Sequence, residues 1–469
     1  MVKKHTNPPK SNSGAIHSIK EDYGMKKKVL ALLMTAAMLL SLTACGGGNS
    51  GSGDSGTTDS GDTISATASS GDNELTVWCW DPAFNLYAME EAEKIYQREN
   101  PDFKLNIVET PWDDIQIKLT TAATANDLES LPDIFLMQDN AYQKNVMMYP
   151  EAFDDLTNSG INFGEFAEAK TAYSVVDGKN YGVPFDNGAA IAAYRTDILA
   201  EAGYTLEDFK DITWEQYIEQ GKDILEKTGK PLLSCIAGEP DVLSIILQSA
   251  SGSFFDDNEN VDMVGNDKIV KTFEVYKELV ESGVLVEVNS WDEYISTIVD
   301  ETVAGTINGC WILATIQTAE DQSGNWGVVN IPKINNVDGA TNYSNNGGSS
   351  WAITSNCKNK ELAYDFMNST FGGSVEFYET ILPTSGALGT WLPAGESEVY
   401  AEPQPFFADQ EIYALITDFA TKTPSITTGI YFYEARLASG TALQRIISGG
   451  DIHEEIQSAQ ETVEFQMSE

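Results

Sequence analysis

The chain has 469 residues, of which 42% are hydrophobic and 10% aromatic, so it can bury sizeable cores and is not a disordered polymer. Its 71 acidic residues stand against 28 Lys and Arg, which gives a formal net charge of −43. A surface this acidic repels nucleic-acid phosphates and anionic lipid head groups, which argues against nucleic-acid binding. The length predicts two or three lobes, and contact with a membrane requires something other than surface charge.

Histidine and cysteine are scarce. The chain has three histidines, two of them within the first 17 residues, which argues against His-based catalysis and His-rich metal sites. We therefore expect no catalytic residue, no metal and no cofactor. Four of the five cysteines are far apart and form no CxxC pair, so buried free thiols are favoured over a zinc site, with disulfides as the alternative. These four are Cys79, Cys235, Cys310 and Cys357.

The first predicted element along the chain is a secretion signal. Residues 25–28 form a cationic start, and residues 29–42 are almost entirely apolar but too short for a transmembrane helix, which needs about 20 residues. Next comes the tetrad Leu42-Thr43-Ala44-Cys45, which resembles the bacterial lipobox, in which the cysteine is acylated and becomes the mature N-terminus. We therefore predict a lipoprotein signal peptide over residues 25–44 and lipid anchoring through Cys45 at the extracellular face of the cell membrane.

The segments on either side of the signal peptide differ in kind. Residues 1–24 delay the lysine run with which a signal should begin, and the codons of Lys20-Glu21-Asp22 can read as a ribosome-binding sequence shortly before Met25. We therefore expect Met25 to be the true start and residues 1–24 to be an untranslated extension. Residues 45–72 consist mainly of Gly, Ser, Thr and Asp, a composition that predicts a flexible linker.

Strands and helices alternate after residue 73. The pattern predicts strands over residues 74–78, 104–108 and 133–137. A helix with one apolar face separates the first two strands and ends before Asn100-Pro101, and another helix is predicted over residues 115–125. This alternation predicts an open α/β sheet, in which ligands bind beyond the C-terminal ends of the strands.

The second half of the chain repeats this alternation. Thr213 and Gln216 stand at the two positions of a capping box, and the apolar stripe that follows makes Trp214 a core residue rather than a ligand contact. Further amphipathic helices are predicted over residues 267–282 and 358–370. Because the sequence contains no short internal repeat and no second low-complexity linker, we expect the lobes to be interwoven.

Acidic and aromatic residues follow several predicted strands. Asp81, Asp139 and Asp186 each come just after a strand. The aromatic residues in similar loops are Trp80, Trp112, Trp311, Trp351, Tyr431 and Tyr433. Carboxylates accept hydrogen bonds from hydroxyl groups, and aromatic faces stack on the C–H faces of a sugar ring, so the combination predicts sugar binding. The alternative is that each Asp is merely solvated and each Trp belongs to a core.

Several segments in a fixed order carry a family resemblance. Residues 179–185, followed by Tyr194-Arg195-Thr196-Asp197, look like the lobe-crossing segment of extracellular solute-binding proteins of the sugar-type family 1. Residues 304–311, the pair Gly347-Gly348 and residues 355–363 are similar to later segments of the same family. The similarity covers the chain from about residue 74 to the C-terminus, and the order of these segments matters more than any one of them.

The resemblance implies a two-lobed α/β fold of the periplasmic-binding-protein type II, with interwoven lobes and three hinge crossings. Residues 73–185 and 347–384 would form the N-terminal lobe, and residues 186–346 and 385–469 the C-terminal lobe. It further implies a monomer that captures a neutral sugar or oligosaccharide in the cleft. Closure of the lobes would then present a surface to the permease of an ABC importer.

The resemblance also implies roles for individual residues. Five positions fall where relatives similar to maltodextrin binders place sugar contacts: Asp81, Asp139, Asp186, Trp311 and Tyr431. Trp351, just after the glycine pair, is a further candidate. Residues 137–139 depart from the maltodextrin pattern, in which an aromatic residue is common at this point, and this departure argues against that particular substrate.

Three other functions remain as alternatives. A glycoside hydrolase requires two carboxylates that flank one bond about 5–10 Å apart, but the resemblance covers the whole folded part and leaves no room for a catalytic domain. A binder of a cationic solute such as a polyamine would use the same carboxylates as counter-charges. A purely structural surface protein is the weakest alternative.

Overall fold

The computed structural model describes Ala68 and residues 71–468. The expected untranslated extension, the predicted signal peptide, the lipidation site Cys45 and nearly all of the predicted linker lie outside the described residues. None of the described helices is long and apolar enough to cross a membrane.

The described residues form twelve strands, several of them very short. In chain order they are β1 (Glu74–Cys79), β2 (Lys104–Glu109), β3 (Ile134–Gln138), β4 (Val175–Val176), β5 (Lys179–Asn180), β6 (Gly182–Pro184), β7 (Ala190–Arg195), β8 (Leu233–Ile236), β9 (Leu285–Val288), β10 (Gly305–Gly309), β11 (Trp326–Val329) and β12 (Ser349–Ile353).

Fifteen α-helices accompany these strands in the described part of the chain. In chain order they are α1 (Tyr87–Tyr96), α2 (Trp112–Ala125), α3 (Asp139–Met148), α4 (Glu168–Thr171), α5 (Thr196–Ala202), α6 (Trp214–Thr228), α7 (Asp241–Ser249), α8 (Asp267–Glu281), α9 (Trp291–Val299), α10 (Ile312–Gln317), α11 (Lys360–Ser369), α12 (Val375–Ser385), α13 (Ile412–Lys422), α14 (Phe432–Ile447) and α15 (Ile452–Ser468). A five-residue π-helical turn, Pro82–Leu86, leads into α1.

A five-stranded sheet in the order β2-β1-β3-β12-β6 organises the first lobe, which we define as the residues packed on this sheet. β1 runs parallel to both β2 and β3, whereas β12 runs antiparallel to β3 and β6. Alternate residues of each strand pack on opposite faces, so that Leu136 and Phe135 belong to different cores. Because β1 and β3 are parallel neighbours, the residues that follow them emerge at the same edge of the sheet.

A three-stranded antiparallel sheet in the order β10-β7-β11 organises the second lobe, which we define in the same way. Both of its faces are covered, since Tyr194 packs in one core and Ile191 in another. α6 has the predicted capping box between Thr213 and Gln216, and Trp214 is fully buried, as predicted. The four cysteines in the described part of the chain are buried free thiols, which confirms that prediction.

The chain passes between the lobes more than once. Phe185 packs in the first-lobe core, and Ala189, four residues later, packs in the second lobe. Ala189 forms a bridge with Asn345, just before the chain returns to the first lobe as β12. Within α12 the core membership changes from the first lobe to the second at Leu382. The predicted α/β architecture with two interwoven lobes is confirmed.

One part of the predicted lobe assignment differs from the packing. Residues 385–469 were expected in the C-terminal lobe, but Trp391 and Ala394 are buried in the first-lobe core. Phe166 forms a bridge with Trp391, and the Trp391 Nε1 donates to Glu165 Oε2 at 3.1 Å. The chain therefore contacts the first lobe once more after α12, through core burial, a backbone bridge and a hydrogen bond that no local sequence pattern reveals.

Candidate ligand-binding site

Three of the predicted aromatic residues form one group where the lobes face each other. Trp80 follows β1, Trp112 begins α2, and Tyr433 lies in the first turn of α14. The rings of Trp80 and Trp112 lie 5.6 Å apart, and those of Trp112 and Tyr433 lie 6.1 Å apart at 90°. Trp112 Nε1 donates to the Tyr433 hydroxyl at 3.0 Å, as does Gln116 Nε2. Both lobes therefore contribute to one aromatic surface, which is the chemistry that a sugar ring requires.

Asp81 lies beside this group but is partly committed to the backbone. It caps the π-helical turn, with Oδ1 accepting from Ala83 N at 2.9 Å and Phe84 N at 3.2 Å. Burial raises the pKa of this carboxyl. The Trp80 and Asp81 amides both donate to Asn85 Oδ1 at 3.0 Å, which fixes the loop. Asp81 thus orients the segment that carries Trp80, while its second oxygen keeps accepting capacity.

Asp139 and Asp186 lie in a buried cluster at the crossings between the lobes. Lys170, which is also buried, donates to Asp139 Oδ2 and, at 2.7 Å, to the carbonyl oxygen of Ser349. Ser350 Oγ donates to Asp139 Oδ1 at 2.9 Å, and the Ser349 amide donates to Asp186 Oδ1 at 2.8 Å. Asp139 and Asp186, which the sequence analysis assigned to a ligand site, therefore already accept hydrogen bonds from other residues of the protein.

The charges of this cluster do not balance locally. Burial raises the pKa of Asp139 to about 6, although the neighbouring Lys170 ammonium lowers it, and burial also raises the pKa of Asp186. Two buried carboxylates share one buried ammonium, so that ionisation of both leaves an excess negative charge. Gly348, with φ of +107°, is required here because a Cβ would lie 2.5 Å from Asp139 Oδ2.

Trp311 lies on the second lobe, directly after β10. Its Nε1 donates to the carbonyl oxygen of Asn346 at 2.9 Å, and its ring lies 5.8 Å from that of Trp291. A Cβ on Gly309 would lie 2.3 Å from Trp311 Nε1, so this glycine makes room for the indole. Helix α10, which follows Trp311, packs against the turn that Asp81 caps. Trp311 is half-buried and contacts cores of both lobes.

Trp351 lies apart from the other candidates. It is fully buried in β12, with its ring 5.5 Å from Phe185 and 5.6 Å from Phe371. Its side chain points to the same sheet face as Ile353, because side chains alternate along a strand. A solute cannot reach this ring while the core is intact, so we leave Trp351 out of the proposed site.

Tyr431 and Glu434 bring the second lobe to a lysine of the first. Lys144, on α3, forms an ion pair with Glu434 Oε1. The Lys144 Nζ also lies 5.0 Å from the centroid of the Tyr431 ring. Tyr431 is thus half-buried beneath a cation rather than openly displayed, and the contact crosses from one lobe to the other.

A buried network behind the site was not predicted from the sequence. Arg436 Nη2 donates to Asp241 Oδ1 at 2.7 Å and to Asn346 Oδ1 at 3.3 Å. Asn346 Nδ2 in turn donates to Asn308 Oδ1 at 2.7 Å, and Asn308 Nδ2 donates to the Tyr294 hydroxyl at 2.9 Å. The network ties the crossing at Asn346 to helices of the second lobe and so fixes the backbone beside Trp311.

Sequence reasoning missed several residues that organise the site. They are Gln116, Lys144, Lys170, Asn346, Glu434 and Arg436. Glu434 and Arg436 lie within the helix start that carries the predicted tyrosines, and this proximity is a signal that could have found them. Lys170 offers no such signal, because nothing in its neighbourhood along the chain indicates that it is buried. Among the described residues, no group of three or more His, Cys, Asp and Glu side chains could hold a metal ion.

Comparisons with known proteins agree with this architecture. The chain is 32% identical over 437 residues to the lactose-binding protein of Rhizobium radiobacter, and the matched region covers 93% of this chain and 97% of that protein. It is 24% identical over 412 residues to the arabinooligosaccharide-binding protein of Halalkalibacterium halodurans, covering 85% of this chain and 91% of that protein.

Solved structures show the same fold at low sequence identity. The ABC transporter associated binding protein from B. animalis subsp. lactis Bl-04, in complex with beta-1,6-galactobiose, matches with a TM-score of 0.73 and 19% identity, covering 84% of this chain and 98% of that one. The GacH receptor of Streptomyces glaucescens matches with a TM-score of 0.72 and 18% identity, again covering 84% and 98%. The predicted two-lobed fold of type II is thereby confirmed.

The family model for bacterial extracellular solute-binding proteins matches residues 91–378, which include most of the first lobe and both the Asp139 and Trp311 regions. With this match and the 32% identity to a relative over nearly its full length, the family is established. The chain belongs to the bacterial extracellular solute-binding proteins.

Proposed function

We propose that this chain binds a neutral oligosaccharide between its two lobes and delivers it to the permease of an ABC importer. The observation that carries the proposal is the aromatic surface of Trp80, Trp112 and Tyr433, to which both lobes contribute. Aromatic faces bind the C–H faces of sugar rings, and a surface shared between lobes engages its ligand fully only when the cleft is closed. The relatives named for lactose and arabinooligosaccharides support a di- or oligosaccharide as the ligand.

The ligand site that we propose contains Trp80, Asp81, Trp112, Trp311 and the tyrosines at the start of α14. Asp81 Oδ2 supplies a hydrogen-bond acceptor, and the half-buried Trp311 ring supplies a further aromatic face on the second lobe. Asp139 and Asp186 support the site from behind, because their oxygens already accept hydrogen bonds from Lys170, Ser349 and Ser350.

The same contacts argue against two of the alternatives, the glycoside hydrolase and the polyamine binder. A glycoside hydrolase needs two carboxylates free to act on one bond, and a polyamine binder needs carboxylates free to pair with an ammonium group. Asp139 and Asp186 are buried and already bonded within the protein. We therefore propose a binding protein without enzymatic activity and without a cofactor, acting as a monomer.

We further propose that the protein acts at the outer face of the cell membrane, held by a lipid on Cys45. The signal-peptide pattern of residues 25–44 and the Gly- and Ser-rich composition of residues 45–72 support this proposal. A flexible chain of that length spans about 30 Å on average, which would let the folded part reach a permease without detaching. Metabolic labelling with a radioactive or alkyne-bearing fatty acid should modify the wild type and not Cys45→Ala.

The binding proposal is tested by a thermal-shift and calorimetric screen of the purified protein. The ligands are lactose, beta-1,6-galactobiose, arabino-oligosaccharides and, as controls, spermidine and amino acids. A sugar at 100 times its dissociation constant should stabilise the fold by about 2.7 kcal/mol. We expect one class of neutral sugar to bind without release of new reducing ends.

Two outcomes would contradict the proposal. Stabilisation by spermidine alone, lost at high salt, would indicate a cationic ligand. Release of reducing sugar from an oligosaccharide would indicate a hydrolase. Trp112→Phe should weaken sugar binding, whereas Trp391→Phe removes an indole that is buried in the first-lobe core and should leave the affinity unchanged.

A further inference from the structure

A segment of four residues at the start of α14 carries one group of direct contacts between the lobes. Lys144 of the first lobe pairs with Glu434 and lies over the Tyr431 ring. Trp112 and Gln116, also of the first lobe, both donate to the Tyr433 hydroxyl at 3.0 Å. The second-lobe partners thus lie between Tyr431 and Glu434, at the start of α14, so that a small displacement of this one helix end changes all of these contacts together.

The ion pair between Lys144 and Glu434 joins the two lobes, whereas the other ion pairs between described residues lie within one lobe. The Lys144 side chain is 26% exposed and that of Glu434 only 11%, so solvent screens the pair less than it screens a fully exposed one. The position of the ammonium over the Tyr431 ring adds a cation–π attraction. Opening the lobes would separate Glu434 from its cation and expose both groups to water.

Glu434 also has unused hydrogen-bonding capacity. Its Oε2 atom is buried and has no hydrogen-bond partner within the described part of the chain. A buried carboxylate oxygen without a partner is costly, and a hydroxyl group or a water molecule that donates to it removes this cost. A ligand that supplies such a hydroxyl would therefore favour the arrangement in which Glu434 faces Lys144.

We propose that Lys144 and Glu434 are a closure latch, a positioning pair that holds the lobes together and thereby sets the affinity for the solute. The closed arrangement is the one in which both lobes offer their aromatic residues to one ligand. The apparent dissociation constant equals the intrinsic one divided by the closed fraction, so a pair that raises this fraction tightens binding in addition to any hydrogen bond that Glu434 Oε2 accepts from the ligand. The closure itself does not depend on the identity of the solute proposed above.

The test measures the distance between the lobes before any sugar is added. Spin labels on Thr121→Cys in α2 and Glu274→Cys in α8 report this distance, since both positions are exposed and lie in different lobes. The four native cysteines of the folded part are buried, and burial raises the pKa of each thiol, so labels should react at the introduced cysteines. The variants are Lys144→Met, Glu434→Gln and the exchange Lys144→Glu with Glu434→Lys.

We expect each single variant to shift the distance distribution towards longer separations in the absence of sugar. For a ligand found in the screen, the dissociation rate should rise about 5- to 30-fold, because the loss of one partner of a partly buried charge pair acts mainly on dissociation. The exchanged double variant restores the opposite charges and should recover most of the wild-type distance and rate.

A matched ion pair within one lobe serves as the control. Lys360 pairs with Asp154 in the first lobe, with exposures of 31% and 13% that resemble those of the latch. Lys360→Met should leave the distance between lobes and the dissociation rate unchanged. An unchanged distance in Lys144→Met and Glu434→Gln, or failure of the exchanged pair to restore it, overturns the latch whether or not a sugar binds.

Discussion

The buried charge cluster around Lys170 and the aromatic surface around Tyr433 both lie near the crossings between the lobes, yet they are built differently. In the cluster, Asp139, Asp186 and Lys170 are each less than 8% exposed and hydrogen-bond within the protein. In the aromatic surface, Trp80 and Tyr433 remain half-buried. The comparison teaches that a residue just after a strand reaches the crossing region. The side chains packed around it then decide whether it bonds to other residues of the protein or stays available for a solute.

The two regions therefore predict opposite consequences for substitution. Changes in the cluster should lower the free energy of unfolding and leave the intrinsic affinity almost unchanged. Changes in the aromatic surface should lower the affinity at smaller cost to the fold. Five variants and their controls, taken from the largest expected effect to the smallest, test this division.

Lys170→Met should have the largest effect. It removes the ammonium that pairs with Asp139 and whose charge also acts on Asp186, and the loss of one partner of a buried ion pair costs about 3–5 kcal/mol. Urea denaturation measures the free energy of unfolding. Lys360→Met, which breaks the partly exposed pair with Asp154, should cost less than about 1 kcal/mol. Equal losses in the two variants would contradict the distinction between cluster and surface.

Trp351→Ala and Trp80→Ala should separate stability from binding. Trp351 is fully buried, so its truncation should cost about 3–5 kcal/mol of unfolding free energy while the folded fraction keeps its affinity. Trp80 is half-buried and its ring packs at a tilt against that of Trp112, so its truncation should weaken sugar binding about 10-fold or more. Calorimetry on both variants measures the affinity for the sugar. A loss of affinity in Trp351→Ala without a loss of stability would show that Trp351 belongs to the ligand site.

The charge of Asp139 should make stability depend on pH. Burial raises the pKa of this carboxyl to about 6 in the folded protein, above its ordinary value of 3.8, so the folded state binds the proton more readily than the unfolded chain. Its contribution is therefore greatest below about pH 4 and is lost as the pH rises through 6. The difference in unfolding free energy between wild type and Asp139→Asn should decrease by about 2 kcal/mol from pH 4 to pH 7. A difference that stays constant or increases would show that Lys170 keeps Asp139 ionised throughout.

Tyr433→Phe should have the smallest effect. The change removes the hydroxyl that accepts from both Trp112 Nε1 and Gln116 Nε2, but it keeps the ring. We expect the affinity for sugar to fall about 3- to 10-fold, since a hydrogen bond contributes about 1 kcal/mol. Tyr204→Phe removes a hydroxyl that donates to Asp223 within the second lobe and should leave the affinity unchanged. Equal affinities of wild type and Tyr433→Phe would assign the hydroxyl no part in closure or binding.

Local patterns were sufficient for much of the fold. The strands at residues 74–78, 104–108 and 133–137 and the helix at residues 267–282 agree with the structure to within a few residues. The capping box at Thr213 was also predicted correctly, because a cap depends on residues three positions apart. Such features are visible in sequence because the interacting residues are neighbours along the chain.

The candidate site was only partly accessible in this way. The residues that follow the strands were identified, since the C-terminal edge of a parallel sheet is a general location for ligands. The roles of these residues were not identified. Trp351 and Trp80 are the same residue type, and they differ only in position, one on a buried sheet face and the other in a loop. The pair Gly347-Gly348 contributed to the family resemblance, but the partner that approaches Gly348, Asp139, lies more than 200 residues away along the chain.

By itself the sequence determined the α/β class, the two interwoven lobes, the buried thiols and the family of this protein, because periodicity, capping and ordered segments are properties of neighbouring residues. The tertiary structure alone decided that Lys170 pairs with Asp139 at the crossings and that Lys144 meets Glu434, 290 residues away. The physical reason is that burial and charge pairing depend on which distant surfaces the fold brings together.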